Sequence, residues 1–246
     1  MIVTAALPWY DEAPEDLDRY VRALPVVADR LVALDGGYAR YPGAKPRSAK
    51  AEEAAIRDAA ADIGLPVEVV IPDRIWPGQL AKRTALYNAA AAGSDWIFTL
   101  DADHIPTGGD RATIRAELET VELEDGVEVD FYTPPNPARP IEKAAATDWH
   151  ASLSGQTTSI RLFLRALPEI QVEHYHWWVS ALKCGVRVWI YGGDDRYPAS
   201  SWRRLSAPLV VEHLCLFRRE RNILAGREYA RDRVLIVAAT GQEDAL

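Results

Sequence analysis

Residues 96–104 read Trp-Ile-Phe-Thr-Leu-Asp-Ala-Asp-His and join a short apolar run to two closely spaced carboxylates. The run 96–100 contains aromatic and β-branched residues, a composition typical of a buried strand in an α/β sheet. Asp101 and Asp103 follow at once, and in an extended chain residues two apart point to the same side. Two oxygen ligands at the carboxyl end of a strand suit Mg²⁺ or Mn²⁺. The stretch therefore predicts a metal site at the sheet edge where open α/β proteins bind ligands. A plain turn with an Asp cap is the alternative.

Strand-like and helix-like segments alternate from the first residue up to this stretch. Apolar, β-branched runs predict strands, whereas a 3.6-residue apolar period or an alanine-rich run predicts helix. The predicted strands are 2–7, 31–34, 67–71 and 96–100. The helix before the third strand is expected to begin at a Ser48 N-cap and to stop at Gly64. This alternation predicts a Rossmann-like, three-layer α/β fold with a mostly parallel central sheet.

The pattern is less regular after the two aspartates. A helix is predicted at 111–121 and strands are predicted at 127–133, 159–164, 186–191 and 209–211. A charged stretch at 218–231 predicts a last helix. No Pro-rich, Gly-rich or polar linker separates the two parts, so we predict one domain over residues 1–246.

The composition narrows the functional class. With 48% hydrophobic and 26% charged residues, the chain resembles an ordinary globular protein, and no apolar run is long enough to span a bilayer. A net charge of −8 disfavours broad attraction to nucleic acid, which leaves a local basic groove as the remaining route. Two cysteines form no disulfide framework and the start of the chain is not typical of a signal peptide, so we expect a cytoplasmic protein.

The order of these features resembles the family-2 glycosyltransferases, which have the GT-A fold, over nearly the whole chain. The resemblance implies that an acid after the second strand contacts the nucleotide base. It implies that basic residues on the helix before the Asp-x-Asp strand hold the diphosphate, and that the Asp-x-Asp motif holds the bridging metal ion. The donor-binding positions so assigned are Asp35, Lys82, Arg83, Asp101, Ala102, Asp103 and Arg221. It also divides the chain into a nucleotide-sugar-binding half, 1–104, and a less regular acceptor half, 105–246.

Two segments of the second half resemble bacterial transferases of the lipopolysaccharide-core type. The first is Arg161-Leu162-Phe163, followed by a proline and a later histidine. The second is Val211-Glu212-His213 with Glu220-Arg221-Asn222 behind it. The resemblance implies that His213 joins Asp101 and Asp103 as the third protein ligand of Mn²⁺ or Mg²⁺.

The stretch that should carry the general base differs from the family pattern. The family often carries a Glu-Asp pair on the acceptor side, whereas the corresponding stretch 168–178 has none. The acceptor hydroxyl still needs a base within hydrogen-bond reach, and His176, Glu173 and His174 are the candidates. We expect His176 to act as the base, with Glu173 second, and an inverting hexosyltransferase is the type that the resemblance implies. The missing pair leaves the base and the stereochemical outcome open.

The leading hypothesis is a metal-dependent glycosyltransferase that takes a sugar from a UDP- or GDP-sugar. Its acceptor would be a hydroxyl on a carbohydrate, a protein or a modified nucleotide. The first alternative is a nucleotidyltransferase, which would usually show a glycine-rich basic loop after the first strand, where residues 7–11 read Leu-Pro-Trp-Tyr-Asp. The second is a non-catalytic nucleotide-sugar-binding protein of the same fold.

Several of these residues also have a plain structural interpretation. Asp35 before two glycines is a good turn former. Lys82 and Arg83 could lie on a solvated helix face, and Arg221 could pair with a neighbouring glutamate. A lone histidine such as His176 more often satisfies a core hydrogen bond than acts in catalysis.

Overall fold

The computed structural model describes residues 1–39, 41, 43–122, 124–134, 155–173, 178–193 and 195–214, and of His213 the backbone alone. The helices are α1 (Pro14–Ala23), α2 (Lys50–Asp62), α3 (Gln79–Ala91) and α4 (Arg111–Glu119), with a short 3-10 helix at Leu24–Val26. The first six strands are β1 (Val3–Pro8), β2 (Arg30–Leu34), β3 (Val67–Val70), β4 (Trp96–Thr99), β5 (His104–Thr107) and β6 (Gly126–Tyr132). The remaining strands are β7 (Thr157–Arg165), β8 (Gln171–Glu173), β9 (Trp178–Lys183), β10 (Val186–Tyr191), β11 (Trp202–Arg204) and β12 (Val210–His213).

The protein is a mixed α/β protein built on a large, partly parallel sheet. Its strand order is β3-β2-β1-β4-β7-β6-β12-β5, with β11 paired to β6. The four strands from β3 to β4 are parallel, as predicted. The expectation of a mostly parallel sheet does not hold for the second part, which is mixed: β7 is antiparallel to β4 and β6 and β5 is antiparallel to β12, whereas β11 and β12 are parallel to β6. β7 enters between β4 and β6 in the opposite direction, so the regular strand–helix alternation of the first part ends at β4, and α4 is the only α-helix after β4 within the described residues.

The central strands are apolar on both faces because each face meets its own core. In β1, Leu7 packs in the cluster that contains α1 and α2, whereas Ala6 packs in the cluster that contains α3. In β4, Trp96 and Phe98 face the first cluster and Ile97 faces the second. Strands covered on both sides read as continuous hydrophobic runs, which is why they were visible in the sequence.

A second sheet of three antiparallel strands, in the order β10-β9-β8, lies on the α3 side of the molecule. Val172 of β8 and Val179 of β9 share the second core with Leu86 of α3. The sequence predicted β10 but not β8 or β9. Part of the half predicted to be less regular is therefore a small antiparallel sheet that packs against α3.

Local predictions have mixed outcomes. The stop at Gly64 is confirmed, since Gly64 follows α2 with a φ of +66°. The Ser48 N-cap is wrong, because α2 begins one residue later behind Ala49 and the Ser48 hydroxyl bonds to Asp35 instead. The helix predicted at 218–231 lies outside the described residues. In the described part of the chain, no helix is both long and apolar enough to cross a membrane.

Candidate functional site

The two aspartates after β4 come together through a turn. The expectation of an extended chain is wrong here, because the His104 amide donates to the Asp101 carbonyl at 2.9 Å and the chain turns back into β5. Ligand-type atoms of Asp101, Asp103 and His104 all lie within 4.8 Å of one another. Asp103 and His104 are buried, whereas the Asp101 side chain is 27% exposed. The turn thus presents two carboxylates and an imidazole at the end of a central strand.

His104 is a residue that sequence reasoning missed, although it directly follows the motif. Its Nδ1 accepts the Asp101 backbone amide at 3.1 Å, so the neutral ring carries its proton on Nε2. Nε2 lies 3.7 Å from Asp103 Oδ1, and the ring packs edge-on against Phe131 with 5.0 Å between centroids. The imidazole therefore holds the Asp101 end of the turn by a hydrogen bond and lies next to the Asp103 carboxylate.

The backbone of His213 lies next to this turn. In the antiparallel pairing of β12 with β5, His213 is the direct partner of His104. The next residue, Leu214, donates its amide to the Asp103 carbonyl at 2.7 Å. The chain thus brings His213 to the metal-site turn by backbone register, although its side chain lies outside the described part.

Arg83 is buried on α3 and faces the same turn. Its Nη2 donates to Asp101 Oδ1 at 2.6 Å, and Nη1 lies 3.5 Å from the Tyr87 hydroxyl. Burial acts to lower the pKa of Arg83, but the Asp101 carboxylate outweighs it, and the pKa is raised above its usual value. The interpretation of Arg83 as part of a solvated helix face is therefore wrong.

Lys82 is also buried, and it joins the ends of two strands. Its Nζ donates to the Trp9 carbonyl after β1 and to the Gly36 carbonyl after β2, each at 2.7 Å. Burial lowers the pKa of Lys82 to about 7, against the opposing attraction of Asp35. Lys82 thus connects the loop that follows β1 to the loop that follows β2.

Asp35 is fully buried and closes the loop that follows β2. Its carboxylate accepts the Gly36 amide at 2.6 Å, the Ser48 amide at 2.9 Å and the Ser48 hydroxyl at 2.6 Å. Gly36 has a φ of +99°, and a Cβ there would lie 2.7 Å from the Pro46 carbonyl oxygen. These are the contacts of a turn former, and the role of Asp35 in base recognition stays a prediction.

A cluster of tyrosines beside this loop was not singled out in the sequence. Tyr10 and Tyr41 meet edge to face with centroids 5.0 Å apart, and Tyr38 lies 5.6 Å from Tyr41. All three rings are partly exposed, and the Tyr10 hydroxyl accepts the Lys45 amide at 2.7 Å. The loop after β2 therefore carries aromatic faces near the edge where β1 and β2 end.

A cleft runs from the turn between the main sheet, α3 and the small sheet. Its polar lining residues are Arg83, Tyr87, Thr99, Asp101, His104, Arg161 and Tyr191. Glu173 is not among the described residues that line it, and its Oε2 pairs instead with Arg196 at 3.0 Å. The predicted base His176 and the predicted cation Arg221 lie outside the described residues.

No protein-family model and no curated protein matches the chain. Similar solved structures include a protein described as a mycobacterial protein, with 19% identity and a TM-score of 0.36 over 54% of this chain and 41% of that one. Another is 4-diphosphocytidyl-2C-methyl-D-erythritolsynthase from Anaerococcus prevotii, with 10% identity and a TM-score of 0.35 over 53% of this chain and 55% of that one. A third is mannose-1-phosphate geranyltransferase from Thermus thermophilus, with 20% identity and a TM-score of 0.27 over 55% of this chain and 42% of that one. The chain spans about half of the length of these structures, and at such low TM-scores nothing about substrate or activity follows from the likeness.

Proposed function

We propose that this protein is a metal-dependent glycosyltransferase of the family-2 type with a GT-A fold. It would move a sugar from a UDP- or GDP-sugar to an acceptor hydroxyl, with inversion. The observation that carries the proposal is the turn after β4, where Asp101 and Asp103 lie together and buried Arg83 binds Asp101. A diphosphate leaving group needs positive charge as its bond to the sugar breaks, and this arrangement of carboxylates and a fixed cation supports that chemistry.

The donor set fits a hard divalent ion. Two carboxylates beside an imidazole suit Mn²⁺ or Mg²⁺, and such an ion supplies Lewis-acid charge to the diphosphate when bound. We assign Asp101, Asp103 and His213 as the protein ligands. His104 has a positioning role in this proposal, because its Nδ1 already accepts the Asp101 amide.

The buried cations of α3 have different roles. Arg83 holds Asp101 and adds permanent charge next to the diphosphate, a role that suits a guanidinium. Lys82 is a positioning residue, since its Nζ is bonded to the carbonyls of Trp9 and Gly36. Lys82 thereby holds the loops after β1 and β2 beside the proposed donor site.

The loop after β2 would bind the nucleoside. Asp35 shapes it through Gly36 and Ser48, and the partly exposed ring of Tyr10 offers a face on which a base can stack. The acceptor side would contribute His176 as general base, with Glu173 second, and Arg221 as a further contact to the diphosphate. The ion pair of Glu173 with Arg196 favours His176 over Glu173, because the base must be available to the acceptor hydroxyl.

Calorimetric titration tests the donor site. UDP and GDP would be titrated into the protein with Mn²⁺ and with EDTA. We expect one nucleotide to bind only with the metal, and we expect Asp103→Asn to weaken that binding by at least tenfold. Asp58→Asn, which changes an exposed aspartate of α2, is the matched control and should bind as the wild type does. Failure of both nucleotides to bind a folded wild-type protein would rule the proposal out.

Product analysis separates the proposal from its two alternatives. A glycosyltransferase incubated with its nucleotide sugar and Mn²⁺ releases a nucleoside diphosphate, slowly to water or faster with acceptor. A nucleotidyltransferase incubated with a nucleoside triphosphate and a sugar phosphate releases pyrophosphate. A protein that binds the nucleotide and releases neither product would be a binding module of this fold.

A further inference from the structure

Arg161 of β7 is a buried cation in the cleft to which the proposed transfer reaction gives no task. It is 9% exposed, and its stem crosses Gly126 of β6, where a Cβ would come within 2.3 Å of Arg161 Cδ. The glycine makes room for the side chain to pass over the sheet. The arginine is thus built into the wall of the cleft, on the side of the small sheet.

The described contacts of Arg161 are to a backbone carbonyl and two aromatic rings. Its Nη1 donates to the Ile190 carbonyl at 3.0 Å, and its guanidinium carbon lies 5.1 Å from the ring centroid of Tyr191 and 5.3 Å from that of Trp202. Among the described residues, Arg161 has no carboxylate partner and its buried Nε has no hydrogen-bond partner. Burial lowers the pKa of Arg161, with Glu128 the main opposing charge. Burying a charged guanidinium without an ion pair costs free energy, and a bound anion would offset that cost.

The other residues of the cleft strengthen the electrostatic effect of the Arg161 charge. Arg83 is already paired with Asp101, whereas Arg161 forms no ion pair with the other described residues of the lining. Leu162, Leu164 and Val179 form an apolar wall beside it, and a charge next to an apolar wall acts in a low-dielectric setting. A net charge of −8 over the whole chain makes a positive cleft a local feature rather than a general one.

We propose that this cleft binds an anionic group, a carboxylate or a phosphate, on the sugar or acceptor that reacts beside Asp101. Arg161 is the residue that recognises it, by charge-assisted hydrogen bonds from its guanidinium. The inference rests on the proposed function in that it places the reacting sugar next to Asp101. It names a substrate class that the metal site alone does not specify.

The first test uses inorganic phosphate on the metal-free protein, so that it does not depend on nucleotide or metal binding. Phosphate would be titrated in EDTA at constant ionic strength and followed by calorimetry. We expect saturable binding in the wild type and at least a tenfold loss in Arg161→Gln, a change of about 1.4 kcal/mol. Arg165→Gln is the matched control, because Arg165 lies on the same strand, donates to the Val121 carbonyl, stacks on Trp96 and does not line the cleft.

Both variants must show wild-type circular dichroism, and Arg161→Lys should retain part of the binding because it keeps the charge. No saturable phosphate binding in the wild type, or equal binding in Arg161→Gln, would overturn the inference whether or not the nucleotide titration succeeds.

A second test identifies the source of the anion. The donor arm compares UDP-glucuronate with UDP-glucose in Mn²⁺, and the acceptor arm compares glucuronate and glucose 6-phosphate with glucose in Mn²⁺ and UDP. Tighter binding of the charged member in either arm, lost in Arg161→Gln, supports the inference and assigns the anion to donor or acceptor. Equal binding of charged and neutral members in both arms would contradict it.

Discussion

His104 of β5 and His213 of β12 are partners in the backbone register, and the contacts of His104 indicate a positioning role for it. His104 uses Nδ1 to accept the Asp101 amide and directs Nε2 towards Asp103. Metal ligation through Nδ1 would break the hydrogen bond from the Asp101 amide. Ligation through Nε2 would require the proton to leave that nitrogen. His213 is the cross-strand partner of His104. We therefore expect His104 to orient the carboxylates and His213 to ligate the ion.

Spectroscopy of bound Mn²⁺ distinguishes these roles. Electron spin echo envelope modulation detects a nitrogen nucleus that is coordinated to the ion. We expect a histidine nitrogen signal in the wild type that disappears in His213→Ala and persists, with weaker metal binding of about 10–100-fold, in His104→Ala. Loss of the signal in His104→Ala and its survival in His213→Ala would reverse the assignment.

Lys82 should make the stability of the metal-free protein depend on pH. Its pKa is about 7 when folded and 10.5 in the unfolded chain, so between these values the unfolded state binds more protons. The free energy of unfolding therefore gains a contribution from Lys82 as pH rises from 7 to 10.5, by at most about 1.4 kcal/mol per pH unit, and loses it as pH falls towards 7. Urea unfolding at about pH 7, 8, 9 and 10 measures this for the wild type and Lys82→Met.

In that comparison the wild type should gain stability relative to Lys82→Met at each higher pH. Lys50→Met, at an exposed position on α2, is the control variant. A difference between wild type and Lys82→Met that stays constant across this pH range would show that Lys82 remains charged in the fold.

At the scale of elements, the loop between β2 and α2 is closed by one side-chain pair. Asp35 accepts both the amide and the hydroxyl of Ser48, thirteen residues further along. Ser48→Ala removes one bond to a buried carboxylate, which we expect to cost about 1–3 kcal/mol of unfolding free energy and to weaken nucleotide binding. Ser200→Ala is the control, since the buried Ser200 hydroxyl has no hydrogen-bond partner among the described residues. Equal stability of the two variants in chemical denaturation would show that the hydrogen bond between Ser48 and Asp35 does not stabilise the fold.

The elements that the sequence predicted are those with a local signal. The runs around Ala5 and Ile97 belong to predicted strands and are apolar on both faces. By contrast, β5, β8 and β11 are only three or four residues long and depend on partners far away in the chain. Their formation is a tertiary effect that no short window contains.

The candidate site likewise contains residues that a local signal predicts and residues that depend on tertiary contacts. Asp101 and Asp103 were visible because both are close in sequence to a strong strand. The role of His104 depends on a turn whose geometry the sequence did not reveal, and the depth of Arg83 and Lys82 depends on how α3 packs against β1 and β2. Ser48 was assigned to a helix cap because its contact with Asp35 crosses thirteen residues.

At the scale of the whole molecule, one sheet passes from the parallel strands into the mixed ones at β4 and β7. Phe98 and Phe163 meet there with ring centroids 4.5 Å apart, and both are fully buried. We expect Phe163→Ala to cost about 3–5 kcal/mol of unfolding free energy, because it leaves a cavity at this junction.

The same variant tests whether residues 1–246 are one domain. If they are, tryptophan fluorescence and circular dichroism should report one coincident unfolding transition, at lower denaturant than in the wild type. Two separate transitions, with only the second shifted, would show that the halves fold independently.

We propose that the turn after β4 holds a divalent ion beside the nucleotide diphosphate of the donor. Anomalous diffraction from crystals grown with Mn²⁺ and UDP tests it most directly. We expect one strong manganese peak within coordination distance of the carboxylates of Asp101 and Asp103, with the UDP phosphates next to it. A manganese peak elsewhere, or UDP bound away from this turn, would contradict it.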